Sequence, residues 1–310
     1  MTPWVLAAQA GTSSSETRDR IARSIAPSIG AHADWILLET CHRVELYGFG
    51  AVPELETPLI PAAGEAAVRH LMRVAAGLDS AIIGEDEVLH QVREALARAR
   101  AARPVDGRLQ RLFETAIAGG RRARAGRTAS SGNLAQKAVA WLQRRSPLAG
   151  RTVLVAGAGR MGASLAHSAR QAGADITIAS RDTDRASRLA HVYGGHGIDL
   201  ARGAELAHET AGIAIALGGI WHELEGDLPP VADISAPSAV PAHVRVTLNG
   251  AYLGIDDLFV RPQEIPRGYI QEAGRVAANK TVEYMRWLEG ASPSPLQGRG
   301  LGRRARKKNA

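Results

Sequence analysis

The sequence is poor in cysteine, short of acidic residues for its bases, and lacks any long apolar run. Its 310 residues include a single cysteine, Cys41, which excludes an intrachain disulfide. A lone cysteine in an intracellular enzyme, with histidines elsewhere, is a candidate nucleophile. The other reading is a small buried hydrophobe. No apolar run reaches the roughly 18 residues of a bilayer span, and none is expected to enter a membrane. The N-terminal stretch MTPWVLAAQAGTSSSETRDR has no basic region ahead of its short apolar part. It does not read as a secretory signal, so the expected location is the cytoplasm. There is no internal repeat. Asp and Glu number 31 against 38 Lys and Arg, a net charge of +7. Such a balance favours a polyanionic partner and says nothing about fold. Much of the excess lies in the final RGLGRRARKKNA, which reads either as a solvated, disordered end or as an RNA contact.

What remains is ordinary for a soluble globular protein: 45% hydrophobic and 22% charged residues. The length suggests about two domains. PWVLAA (3–8) reads as a strand, and Ile21, Ile25 and Ile29 mark one face of a surface helix. Asp34–Leu38 reads as a buried strand leading into Glu39-Thr40-Cys41-His42-Arg43. Val44–Phe49 alternates and reads as a half-buried strand, which puts the cysteine on a turn between two strands. From Gly64 to Ala76 the pattern is helical, with Val68, Leu71, Met72 and Ala75 on one face. His70 lies about 150° from the centre of that face, at roughly 100° per residue. Helices are expected over Glu85–Ala102, from Arg108 to about Arg127, and after the capping residues of TASSGN.

Composition changes after Ser146-Pro147. Thr152–Ala156 is a parallel-type strand, followed by GAGRMG, a helix, and a second strand over Asp175–Ala179. Gly157, Gly159 and Gly162 fit G-x-G-x-x-G in its required context, after a strand and at the start of a helix. Gly157, Ala158, Gly159, Arg160, Met161 and Gly162 form the expected cofactor turn. Its glycines serve a tight turn, backbone approach to a pyrophosphate and close helix packing. The helix N-terminus then offers free N–H groups to phosphate. Ser180-Arg181 ends the second strand and favours NADPH, because Arg accommodates a 2′-phosphate. Asp182, two residues on, argues for NAD if it reaches the ribose. The expected fold class is α/β: an N-terminal α+β catalytic domain (1–146), a Rossmann NADP-binding domain (147–260), a C-terminal helix (261–289) and a basic tail (290–310). No metal is called for.

A Rossmann domain does not name a reaction. The N-terminal half is more specific. LLETCHRVELYG and HLMRVAAGLDSAIIGEDEVLHQVREAL (70–96) resemble the two signature segments of the glutamyl-tRNA reductase family. LFETAIAGGRRAR, GAGRMG and YLGIDDL resemble their counterparts in the same order. The resemblance implies NADPH-dependent reduction of glutamyl-tRNA to glutamate-1-semialdehyde, feeding 5-aminolevulinate and tetrapyrrole synthesis. It implies Cys41 as the nucleophile that carries a thioester, and His70 as an acid or base. It gives Thr40, Ser80, Glu85 and Gln91 to the aminoacyl moiety. Arg43 could lower the thiol pKa or clamp the substrate carboxylate, and the resemblance favours the clamp. Asp79 is expected to cap its turn.

Several positions depart from the family pattern. His42 stands where an Asn is usual, Glu85-Asp86-Glu87 replaces Glu-Pro-Gln, and Ala10-Gly11-Thr12 replaces His-Lys-Thr. His42, Asp86 and Glu87 lie beside the expected aminoacyl pocket, so the acyl group stays open. The chain is expected to be a short member lacking the C-terminal dimerisation domain, so its oligomeric state is open too. The expected partners are an aminoacyl-tRNA and a downstream aminomutase. The alternatives are a paralogue acting on another aminoacyl-tRNA or acyl thioester, a non-catalytic regulatory member, and an unrelated Rossmann oxidoreductase with a structural cysteine.

Overall fold

A computed structural model describes residues 1–29, 34–53, 55, 59–80, 82–125, 133–260 and 267–291. The first domain opens with β1 (Pro3–Gln9), α1 (Ser15–Ile29), β2 (Ile36–Glu39), β3 (Arg43–Phe49) and β4 (Ile60–Ala63). The strands form an antiparallel sheet in the order β2-β3-β1-β4. Edge strand β4 gives no sequence signal: it contains Pro61 and is mostly exposed, and proline suits an edge. The helices α2 (Glu65–Ala75), α3 (Glu87–Ala102), α4 (Gly107–Arg124) and α5 (Leu134–Gln143) follow. Asn133 caps α5 in a reciprocal box with Gln136. The rest of TASSGN lies outside the described residues.

The structure corrects the reading of β3. All seven of its residues are buried, not every second one. Helices cover both faces of the sheet. Val44 and Leu46 pack with Ile21, Ala22 and Ile25 of α1. Tyr47 and Phe49 pack with Leu71, Met72 and Phe113 of α2 and α4. Strand alternation therefore sorts residues between two cores and leaves no solvent side. Arg43 and Glu45, on the Tyr47 face, are carried inside with it.

The second domain contains β5 (Thr152–Ala156), α6 (Arg160–Gln171), β6 (Asp175–Ala179), α7 (Thr183–Val192), β7 (His196–Ile198), α8 (Leu200–Leu206), β8 (Gly212–Ile215), β9 (Val231–Asp233), α9 (Ala242–Thr247), β10 (Tyr252–Gly254) and α10 (Ile255–Val260). Its six strands are parallel, in the order β10-β9-β8-β5-β6-β7. Apolar clusters cover both faces of this sheet. Connectivity reverses between β5 and β8, and a dinucleotide binds outside the carboxyl ends of the strands at such a switch point. This is a nucleotide-binding domain.

The last described helix, α11 (Arg267–Ala291), returns to the first domain. Tyr269, Ala273, Val276, Ala277, Tyr284 and Leu288 join the core that holds Val68 and Phe113. Tyr269 Oη donates to the Ala76 carbonyl at 2.6 Å, and Tyr284 Oη to that of Arg108 at 2.8 Å. The helix was expected from Pro262. Residues 261–266, and the basic tail from residue 292 on, lie outside the described residues. No helix among the described residues is long and apolar enough to cross a membrane.

Candidate active site

The turn between β2 and β3 is tied by one hydroxyl. Thr40 Oγ1 accepts from the backbone N–H of both His42 and Arg43, each at 3.1 Å. The Thr40 N–H donates to the Arg43 carbonyl at 2.9 Å, and the Ala10 N–H to that of His42 at 2.8 Å. The turn thus presents Cys41 away from its own sheet. Cys41 is partly buried, and its side chain packs against the cluster holding Leu134, Ala158 and Ile255. These are residues of α5 and the nucleotide-binding domain, so the sulfur lies at the contact between the domains.

The thiol rests as a thiol. Desolvation pushes its pKa up to about 12, and the Glu85 carboxylate adds to the rise, while Arg18 and Arg43 oppose it. Arg18 donates to the Cys41 carbonyl at 2.7 Å and pairs with Asp256 of α10 at 2.8 Å. Asp256 also accepts from the Ser15 N–H at 2.9 Å. His42 is buried, with Nδ1 3.5 Å from Cys41 Sγ and Nε2 3.3 Å from the Ile255 carbonyl oxygen. Desolvation lowers its pKa to about 4.

On the inner face of β3 lies a residue the sequence reading missed. Glu45 is fully buried and gathers a polar network. Its Oε1 is 3.1 Å from Arg43 Nη1 and 2.9 Å from His70 Nε2, and its Oε2 accepts from Tyr47 Oη at 2.6 Å. Gln9 Nε2 lies 3.4 Å from both Glu45 Oε1 and His70 Nε2. Desolvation works to raise the Glu45 pKa, but His70 and Arg43 outweigh it and hold the carboxyl down at about 2. His70 is thus oriented by a buried carboxylate from the neighbouring sheet. Arg43 also donates to the Asp79 carbonyl at 2.6 Å. With its side chain only 3% exposed, it braces the interior in this conformation. The Asp79 carboxylate, expected to cap its turn, instead takes Arg73 in a forked pair at 2.6–3.1 Å. The one signal for Glu45 was the i, i+2, i+4 placement of Arg43, Glu45 and Tyr47 on one face of a strand.

Ser80 and Glu85 are buried, and the Ser80 Oγ and Glu85 Oε2 atoms have no hydrogen-bond partner among the described residues. Desolvation raises the Glu85 pKa to about 7 against the pull of Arg43, the neighbouring Ser80 hydroxyl and, more weakly, Arg124. Glu85, Asp86 and Glu87 line a cleft of about 170 Å³ with Leu134, Arg160, Met161 and Ser164. Asp86 pairs with Arg124 at 3.2 Å, and Glu87 with Arg160 at 3.0 Å across the domains. The acidic run therefore meets the glycine turn. Gln91, one turn further along α3, does not line this cleft. A second cleft, of about 440 Å³, runs between β2, α3 and Ala236, and carries Thr40, Arg98 and Arg103 on its walls.

The glycine turn fits a dinucleotide. Gly157 has φ +113°, and a Cβ there would lie 2.3 Å from the Ala216 carbonyl oxygen. A Cβ on Gly162 would lie 1.8 Å from the Gly157 carbonyl oxygen, so this glycine sets the close approach of α6. Around Gly159 the space is open, as backbone approach to a pyrophosphate requires. Ser180 follows β6, and its Oγ accepts from the Asp182 N–H at 3.3 Å. Asp182 caps α7, its Oδ1 accepting from the Arg185 N–H at 2.9 Å. Arg181 is exposed, and its guanidinium reaches towards Gly218, beyond β8.

Two family models match the chain: "Glutamyl-tRNAGlu reductase, N-terminal domain" over residues 5–126, and "Shikimate / quinate 5-dehydrogenase" over residues 135–218. A glutamyl-tRNA reductase of Thermus thermophilus is 32% identical over 89% of this chain and 78% of its own length. One of Rubrobacter xylanophilus is 33% identical over 84% of this chain and 70% of its own. Among solved structures, the glutamyl-tRNA reductase of Methanopyrus kandleri aligns with a TM-score of 0.49 at 27% identity, covering 93% of this chain and 80% of that one.

Proposed function

The chain belongs to the glutamyl-tRNA reductase family, and from that premise we propose that it reduces glutamyl-tRNA to glutamate-1-semialdehyde with NADPH. Cys41 attacks the aminoacyl ester, the tRNA leaves, and a thioester remains. Held at the glycine turn, NADPH would supply the hydride. The resulting thiohemiacetal collapses to the aldehyde and restores the thiol. The observation that carries this reading is the position of the sulfur. It projects from a tight turn of one domain and packs against a core cluster built largely from α5 and the nucleotide-binding domain.

The other residues take roles that their surroundings support. Gly157, Ala158, Gly159, Arg160, Met161 and Gly162 hold the pyrophosphate on the α6 N-terminus. Arg181, with Ser180, takes the 2′-phosphate. His70, held by Glu45, serves proton transfer at the thiohemiacetal oxygen. Ser80 and Glu85 offer unpartnered polar atoms to the aminoacyl group. Asp86, Glu87 and Gln91 border that site. Arg98 and Arg103 flank Thr40 in the larger cleft and suit the phosphates next to the esterified ribose. The aldehyde is then used by an aminomutase.

The test is to incubate the protein with radiolabelled glutamyl-tRNA in the absence of NADPH. A labelled, hydroxylamine-sensitive adduct on Cys41 is expected, and added NADPH should convert it to aldehyde. Other charged tRNAs run alongside decide the acyl group. No adduct from any of them would remove the reading.

A further inference from the structure

We propose that His42 is a catalytic residue: it takes the proton from the Cys41 thiol as the sulfur attacks and passes it to the departing ribose oxygen. The inference rests on the acyl-transfer reading above and deepens it.

The geometry fixes the direction of the proton path. His42 Nε2 faces the Ile255 carbonyl oxygen at 3.3 Å. A carbonyl only accepts, so Nε2 carries the hydrogen and Nδ1 carries the lone pair. Nδ1 lies 3.5 Å from Cys41 Sγ. The thiol therefore donates to Nδ1 while the far side of the ring donates to the main chain. This is the nucleophile–base–orienting-group arrangement, with a carbonyl as the third member. His42 is 4% exposed, so bulk water has little access to the ring. The anchor comes from the other domain, since Ile255 opens α10 directly after β10.

The charges around the ring favour neutral resting partners. Arg18 of α1, Arg43 of β3 and Asp256 of α10 face His42, and Glu85 faces the thiol. Burial and the two guanidinium groups keep the imidazole neutral, while burial and Glu85 keep the thiol protonated. No thiolate is stored, so the proton must leave as the sulfur attacks. The S–C bond forms and the C–O bond to the ribose breaks. One proton moves from sulfur to Nδ1 and from Nδ1 to the ribose oxygen, and the ring ends as it began. A ring that binds a proton weakly is a poor base for the first transfer and a strong acid for the second, so the proton crosses it in concert with S–C bond formation and C–O bond cleavage, with no imidazolium accumulating.

His42→Asn restores the residue usual in the family, and an amide hydrogen-bonds but does not take the proton. Acyl-enzyme formation from glutamyl-tRNA without NADPH is measured in single turnover against pH. For the native protein the rate should be flat from about pH 6 to 9, since the reacting forms are neutral across that range. For His42→Asn it should fall on the order of 10²–10⁴-fold at neutral pH and rise about tenfold per pH unit, as free thiolate becomes the nucleophile. NADPH affinity should be unchanged. A variant with the native rate and a flat profile overturns the proposal. If the variant does not fold, the native profile decides alone, and a tenfold rise per unit overturns it. Iodoacetamide separates this idea from the substrate assignment. Alkylation of Cys41 that is flat in the native protein and steep in the variant upholds the shuttle even where glutamyl-tRNA gives no adduct.

Discussion

At the scale of the residue, burial decides which ionisable groups hold charge. Glu45 is fully buried yet stays ionised, because Arg43, His70 and Tyr47 converge on it. Glu85 is buried with one oxygen unpartnered, and its pKa rises to about 7. Its folded pKa is above the unfolded carboxyl value. The stability it contributes is therefore full below about pH 4.5 and is lost as pH rises through 7. His42, lowered to about 4, acts in the opposite sense: its contribution is full above about pH 6.5 and is lost as pH falls towards 4. Glu85→Gln should leave the melting temperature unchanged near pH 5 and raise it by roughly 5 °C at pH 8. Melting curves at both pH values check this, and an equal difference at the two would refute it.

At the scale of the element, two tight turns place the chemistry. The Thr40 hydroxyl closes one, and the absence of side chains at Gly157 and Gly162 permits the other. A methyl on Gly162 would meet a backbone carbonyl oxygen at 1.8 Å, and neither backbone can give way cheaply. Gly162→Ala should therefore weaken NADPH binding at least tenfold by displacing the start of α6. Cys41 packs against the cluster that includes Ala158, so its alkylation by iodoacetamide should quicken as that contact loosens. Fluorescence titration of NADPH and a thiol-labelling time course measure the two effects.

At the scale of the whole molecule, the site exists only where the domains dock. Arg18 and Asp256 meet at 2.8 Å, Arg245 and Glu16 at 3.1 Å, and Arg160 and Glu87 at 3.0 Å. Ile82 of the first domain is buried in the cluster with Leu134 and Val155. The helix α11, which follows the second domain in the chain, packs into the core of the first. Asp256→Ala should cost about 1–2 kcal/mol, discounted because the carboxylate is 39% exposed. It should also slow acyl transfer while leaving NADPH affinity intact, since the Ile255 anchor for His42 loosens. Denaturant unfolding and single-turnover acylation test the pair of effects. Equal losses in acylation and NADPH binding would point to general unfolding of the second domain instead.

Much of this was legible in the sequence, because it depends on neighbours along the chain. The period of apolar residues marks α2 and β5, the spacing of three glycines marks the nucleotide turn, and a cysteine between two strands lies on a loop. Short elements such as β7 and β10, at three residues each, carry too few residues to show a period. Other features depend on what packs against what. A strand covered on both faces looks the same in sequence as one covered on a single face, so the burial of Glu45 waited on α2 and α4. Nothing near His42 in the chain says that its far nitrogen meets the carbonyl of residue 255. Sequence determined which residues could react; docking of the two domains decided their charge and their partners, because desolvation and hydrogen-bond direction arise only when distant segments close on one another.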